Sequence, residues 1–398
     1  MFVERRCVGL DVHARSVVAC VIDNEAGEVR SLRLSPKTEQ VVAWVRSLPG
    51  PVAVTYEAGP TGFGLARALD AVGVRCVVVA PSKLERPPGD RVKTDRRDAE
   101  RLARLLRIGE LPGVRVPSEA EEAARDLVRA REDVRGDLMR ARHRLSKLLL
   151  RQGLLYDGTA WTGAHESWLR SLSFDRLGVQ LAFDEAYDTV VTTVARRNRL
   201  DTAIVEMAAT SAFAPVVGRL GCLRGVSTLT AFGLTTEIGD WRRFTGASIG
   251  AYLGLTPAEY SSGDHRAQGP ITKTGNTHAR RLLVEAAWHH RRRYRPSREL
   301  IRRQDGQPPT VRARADQGNR RLYRRWARFD ARHKRSTIAA VAVARELAGW
   351  CWSLATMEST MESTMESTME STMESSMESS MESSMESSME SSMESSME

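Results

Sequence analysis

A chain of 398 residues is long enough for two or three domains with sizeable cores. Residues 357–398 hold eleven Glu and no Lys or Arg, so the net charge of +9 conceals a body at +20, which points to a polyanionic partner, most simply nucleic acid. The five cysteines form no CxxC pair, Glu4, Arg5 and Arg6 precede only a short apolar run, and no stretch reads as apolar for long enough to span a membrane. These features argue against a disulfide framework, a zinc site or a secretory leader, and a cytoplasmic, nucleoid-associated protein is expected.

Residues 1–112 read as one α/β domain. Residues 7–11, 16–22 and 29–34 are strand-like, with the turn Asp23-Asn24-Glu25-Ala26-Gly27 before the third. Short connections make these three an antiparallel meander. Residues 38–48 fit a helix with Val41, Val42, Val45 and Leu48 on one side. A fourth strand (52–57), a second helix (61–72) and a fifth strand (74–80) follow. A third helix opens in KTDRRDAERLA, with Thr94 or Asp95 as N-cap. The order β-β-β-α-β-α-β-α, with right-handed crossovers, is the plan of the RNase H-like fold.

That plan gives four acids a common place. The first and fourth strands are parallel neighbours in it, so Asp11 and Glu57, both at strand C-terminal ends, meet at one sheet edge. Asp95 and Asp98 are three apart on the third helix, share a face, and arrive at the same edge. Such carboxylates repel unless cations are bound. Mg²⁺ is the expected ion, in two copies about 3.5–4 Å apart of the kind that serves phosphoryl transfer. The competing view of Asp95 and Asp98 alone is a solvated first turn with acids at the favourable helix end.

Pro112-Gly113 and Pro117 mark a linker, and residues 113–212 read as a helical arm. Ser118-Glu119-Ala120-Glu121 is a capping box for a helix reaching about residue 151, with Leu127, Val134, Leu138, Leu145 and Leu148 as its apolar stripe. A short helix (164–172) and a second long one (175–209) follow. The two long helices form either an antiparallel coiled-coil arm or an ordinary helical subdomain.

Residues 213–356 read as a mostly helical third domain. Leu223-Arg224-Gly225-Val226-Ser227 is either a helix-hairpin-helix-like turn, with Arg224 near a DNA phosphate, or a simple αα-hairpin. The Gly/Ser/Thr-rich stretch from Gly254 to Asn276 precedes a helix bearing Arg280 and Arg281. Such a loop can expose a serine hydroxyl among phosphate-binding groups, here Lys273, Arg280 and Arg281. The segment 291–335 is Arg-rich and is expected on the nucleic-acid side, and 336–354 reads as an apolar closing helix. The MEST/MESS repeats of residues 357–398 read as a disordered low-complexity tail without assigned function.

GLDVH, YEAGPTG and KTDRRDAERLA, together with GLTPAEYSSG…GPITKTGNTHARRLLVEAAW, resemble the DEDD transposases of insertion-sequence family one-ten, relatives of the Piv/MooV invertases. The resemblance covers nearly all of residues 5–353. It implies a RuvC-like N-terminal domain holding metal on Asp11, Glu57, Asp95 and Asp98, a coiled-coil arm, and a C-terminal transposase domain with a nucleophilic serine. The family's serine precedes glycine, which maps to Ser262, with Ser261 adjacent. It further implies a tetramer and a bridge RNA that pairs with donor and target DNA. The expected activity is site-specific recombination that cuts and rejoins DNA through a serine–DNA link. The rival is a RuvC- or RNase H-like nuclease that uses the four acids and water.

Overall fold

The computed structural model describes residues 4–84, 94–262 and 267–357. Lys93, the glycine after Ser262 and the repeat tail, all singled out above, lie outside the described residues. The chain divides into two compact units, 1–120 and 121–398.

The first unit contains β1 (Arg6–His13), β2 (Ser16–Asp23), β3 (Val29–Leu34), α1 (Thr38–Ser47), β4 (Val52–Glu57), α2 (Gly64–Asp70), β5 (Arg75–Val79) and α3 (Asp95–Ile108). The sheet order is β3-β2-β1-β4-β5. β1–β2 and β2–β3 pair antiparallel, β1–β4 and β4–β5 parallel, as an RNase H-like plan requires. Local chemistry sets the connections. The Asp23 carboxylate accepts from the backbone N–H of Glu25 and Ala26, and Gly27 closes that turn at φ +70°.

Strand alternation assigns the two faces. Val8, Leu10, Val54 and Tyr56 pack with Val41, Val45, Leu65 and Leu69 of α1 and α2. Each such side chain, once buried, contributes about 1.5–3 kcal/mol. The opposite face carries Cys7 and Ala53, packed on Leu106, and Cys20 and Ile22, packed on Ala99 and Ala103, all against α3. Gly9 lies between them. A Cβ built there would sit 2.1 Å from the Ala99 carbonyl oxygen and 2.5 Å from the Ala103 nitrogen. Only glycine lets α3 lie this close on β1.

The second unit contains α4 (Glu119–Arg151, which begins at the boundary), α5 (Gly163–Arg170), α6 (Leu177–Thr210), α7 (Ala214–Gly221), α8 (Thr228–Ile238), α9 (Ser248–Tyr252), β6 (Pro257–Glu259), β7 (Gln268–Ile271), α10 (Thr277–Trp288), α11 (Arg298–Gln304), α12 (Pro309–Ala331) and α13 (Ser336–Ala355). The long helices α4 and α6 run antiparallel. Leu138, Leu145 and Leu149 of α4 meet Phe183 and Val190 near the start of α6, while Ala124 and Val128 share a core with Ile204 and Ala208 near its end.

Two expectations change here. Helix α13 is 20 residues long and apolar enough to cross a membrane by length and composition, so the expectation of no such stretch was too strong. Its Val343, Ala344, Leu347, Cys351 and Leu354 are instead buried in a core shared with α10 and α12. The segment read as a Ser-rich loop contains a two-stranded hairpin, β6–β7, with Glu259 opposite Gln268.

Candidate active site

The acid edge follows from packing around Gly9. Cys7, Gly9 and Asp11 are on the α3 face of β1, and Ala53, Thr55 and Glu57 are on the same face of β4. Leu10 pairs with Tyr56, so Asp11 and Glu57 each stand one step beyond that pair, on neighbouring parallel strands. Helix α3 runs back along β1: Leu106 clusters with Cys7, Ala99 to Ala103 cover Gly9, and the first turn, with Asp95 and Asp98, reaches the level of Asp11. The N-cap is Thr94, whose side chain accepts from the Arg97 N–H at 3.3 Å. The two acids of the first turn are also favoured by the helix dipole.

The structure adds His13, which the sequence reading passed over. It is two residues from Asp11 on the same face of β1. Its Nε2 lies 3.1 Å from Asp11 Oδ2 and 3.9 Å from Asp95 Oδ1. Ligand atoms of Asp11, His13 and Asp95 all fall within 4.8 Å of one another, a spacing that fits a metal ion. Burial pushes the Asp11 carboxyl up, His13 pulls it down, and the charges of Asp95 and Asp98 push it up again. Asp98 is thus electrically part of the group. Glu57 is half-buried at the same sheet edge, outside the tight cluster of Asp11, His13 and Asp95. Oxygen donors dominate, as a hard divalent cation prefers.

The second candidate centre is the β6–β7 hairpin. Ser261 and Ser262 follow β6 and are exposed. The Ser261 hydroxyl donates to Glu259 Oε1 at 2.9 Å, so a carboxylate stands beside the serine pair, a neighbour the sequence reading did not identify. Two glycines close the hairpin base. A Cβ on Gly254 (φ +64°) would lie 2.4 Å from Thr274 O, and one on Gly275 (φ +71°) 1.9 Å from Tyr252 O.

The four cations expected to contact nucleic acid have different fates. Lys273 is exposed beside the hairpin, with φ +56°. Arg280 donates to the carbonyls of Leu253 (3.0 Å) and Thr274 (2.8 Å), which ties the hairpin ends together. Arg281 pairs with Glu285 and Glu132. Arg224 donates to the carbonyls of Arg292 and Arg293. Its own N–H goes to Asn319 Oδ1, and Leu223 and Val226 of the same turn are fully buried.

Beneath the hairpin lies Glu237, whose side chain is 1% exposed. Arg129 donates to both its oxygens (3.1 and 3.0 Å), Asn276 Nδ2 to Oε2 at 2.7 Å, and His278 Nδ1 lies 3.1 Å from Oε1. Burial alone would raise this carboxyl, but the hydrogen bonds from His278, Arg129 and Asn276 and the Arg129 charge outweigh it and hold it at about 2. Asn276 also caps α10 by accepting from the Ala279 N–H. The sequence signal for this hub was one acid at the end of TLTAFGLTTEI, an otherwise uncharged helix.

Comparison with known proteins agrees with this geometry. Residues 8–152 match a DEDD family described as transposase, and residues 218–302 match the transposase IS116/IS110/IS902 family. The chain is 39% identical over 355 residues to y4qE of Sinorhizobium fredii, which bears a transposase name, covering 87% of this chain and 88% of that one. It is 32% identical over 338 residues to the transposase for insertion sequence element IS1533 of Leptospira borgpetersenii, covering 82% and 97%. The transposase for IS1111A of Coxiella burnetii is 24% identical over 292 residues, covering 71% and 77%. With acids from two strands and a helix gathered at one sheet edge, and with relatives matched along most of their length, the chain belongs to the IS110 family of transposases, enzymes of DNA transposition.

Proposed function

We propose that this transposase cuts and rejoins DNA through a covalent link to Ser262, with Mg²⁺ bound by Asp11, Glu57, Asp95 and Asp98. The observation that carries the reading is the meeting of Asp11, His13 and Asp95 at the end of β1, with Asp98 within electrostatic reach. Bound there, two Mg²⁺ ions would polarise the scissile phosphate and favour the attacking oxygen. His13 orients the Asp11 carboxylate through its 3.1 Å contact. Ser262 Oγ forms a bond to phosphorus while the bond from phosphorus to the 3′ oxygen breaks. The serine gives up its proton and the leaving 3′ oxygen takes one up. A 3′-hydroxyl from another strand reverses the step, so exchange needs no ATP.

The proposed assembly is a tetramer in the cytoplasm, at the nucleoid, acting on donor and target DNA under the direction of a bridge RNA. The +20 body supports a polyanionic partner. The exposed serine pair, with Glu259 beside it, supports the nucleophile. Denaturing gels of protein incubated with end-labelled element DNA test the proposal. A protein–DNA adduct that maps to Ser262 and vanishes in Ser262→Ala is expected, with Ser261→Ala much milder. Metal-dependent cleavage without any adduct would instead identify a nuclease that uses water.

A further inference from the structure

Between α12 and α13 lies a cleft of about 550 Å³ that the acid edge and the serine hairpin do not use. Arg314, Arg321 and Arg325 line it from α12, and Arg345 and Glu346 from α13. The α12 arginines fall at i, i+7 and i+11, one helical face. Gly318, between the first two, explains the close approach of the two helices: a Cβ there would lie 2.8 Å from the Trp350 ring. Gly250 forms part of the lining, and a Cβ on it would meet the Arg345 side chain at 3.0 Å.

The charge is not internally balanced. Glu346 accepts from Arg321 at 2.6 Å and lies 3.5 Å from Arg325, so one carboxylate serves two guanidinium groups. Arg345 is exposed and has no ion-pair or hydrogen-bond partner among the described residues. Arg314 is held in place, with its guanidinium 4.4 Å from the Trp350 ring centre and its Nε donating to Ser353. Four guanidiniums against one carboxylate leave a site suited to planar, bidentate recognition of phosphate. Trp350 lies against Arg314 and the Gly318 backbone, and Trp352 Nε1 donates to the Phe244 carbonyl. Both indoles are occupied as structure, so the cleft offers charge rather than a stacking platform for bases.

We propose that this cleft is a sequence-independent site for the phosphodiester backbone of a nucleic-acid strand, gripped by Arg321, Arg325 and Arg345. The site rests on the nucleic-acid reading above but is separable from its chemistry. Binding is measured by fluorescence anisotropy in EDTA, which removes any metal contribution, on short duplex DNA and short hairpin RNA of arbitrary sequence. Arg345→Glu is expected to weaken binding about tenfold or more and to lower the slope of log affinity against log salt by about one for each phosphate no longer held. Arg321→Ala/Arg325→Ala should act in the same direction. Glu346→Gln should tighten binding, because it frees two guanidiniums. An effect on either nucleic acid supports the site and identifies which strand fills it.

Unchanged affinity and slope on both for Arg345→Glu, with circular-dichroism melting as in the parent protein, would overturn the proposal. Arg345 is exposed and unpaired among the described residues, so that variant is expected to fold. Failure of the acid site would show separately, as cleavage that survives Asp98→Asn.

Discussion

The acid edge and the serine hairpin are built by opposite means. At the acid edge, position comes from regular structure: strand ends in register, a glycine that lets α3 lie on β1, and an N-cap that starts α3 where its acids are needed. The hairpin has only short strands and stands over a buried carboxylate that gathers Arg129, Asn276 and His278 from distant parts of the chain. The acid edge should therefore be sensitive in its chemistry and tolerant in its fold. The hairpin should lose both when its hub is removed.

The sharpest test of the first half is Asp11→Asn. It removes a carboxylate donor at the centre of the cluster without changing side-chain size. Cleavage is expected to fall at least about 100-fold, since even partners one step removed from a metal cost up to about that much. Burial already penalises the charged form of Asp11, so the melting temperature should stay level or rise. A gel cleavage assay paired with a thermal melt checks both, and wild-type cleavage in the variant would remove Asp11 from the site.

The hub should behave in the reverse way. Glu237→Ala removes the buried carboxylate that Arg129, Asn276 and His278 share, so the second unit should melt at a lower temperature. The pH dependence has a defined sign. The folded carboxyl titrates at about 2, below its ordinary value of 4.5, so its stabilisation is present above 4.5 and is lost as pH falls toward 2. The amount at stake is about 3 kcal/mol. Urea melts between these pH values should show the second unit weakening in the parent protein, with Glu237→Gln weaker at neutral pH and flatter across the window. A parent curve as flat as the variant's would show that the hub is not a charged anchor.

Gly9→Ala sharpens the comparison from the fold side. The added methyl meets backbone atoms of α3 rather than a flexible side chain, so the helix itself must shift. A destabilisation of about 1–3 kcal/mol is expected. Metal affinity, read by calorimetric titration, should fall with it, because the helix carries Asp95 and Asp98. Unaltered affinity would mean that α3 does not position the metal site.

What the sequence made legible follows the same division. Strand alternation and cap residues are local signals, so the five strands of the first unit were read to within two residues, and their order was enough to expect Asp11, Glu57, Asp95 and Asp98 at one sheet edge. His13 was equally local, two residues from Asp11 on the same face, but imidazole lay outside a search for carboxylates. The partners of Glu237 span residues 129 to 278, and no local pattern announces such a set. Arg224, Arg280 and Arg281 were read from their charge and their place beside a turn or a loop. Their guanidiniums proved to hold carbonyls and carboxylates of the protein, because an arginine beside a tight turn or a helix end finds protein acceptors as readily as phosphate. The hairpin was missed because strands of three and four residues among Gly, Ser and Thr carry almost no alternation to read.

Thr94→Ala is the smallest expected effect and the finest probe of the acid edge. The Thr94 side chain satisfies the Arg97 N–H, one of the otherwise unpaired donors in the first turn of α3. Its loss should cost about 1 kcal/mol. The rest of α3 is held by Ala99, Leu102, Ala103 and Leu106, all buried, so the helix body should persist. Only the first turn should fray, and that turn carries Asp95 and Asp98. Hydrogen exchange is therefore expected to quicken in residues 95–98 and not beyond residue 102, with metal affinity falling in parallel. Thr94→Ser and Thr94→Asp keep a capping oxygen and should restore both. If exchange quickens at the first turn while metal affinity stays at the parent level, the cap serves stability alone, and Asp11 with His13 holds the ion without help from α3.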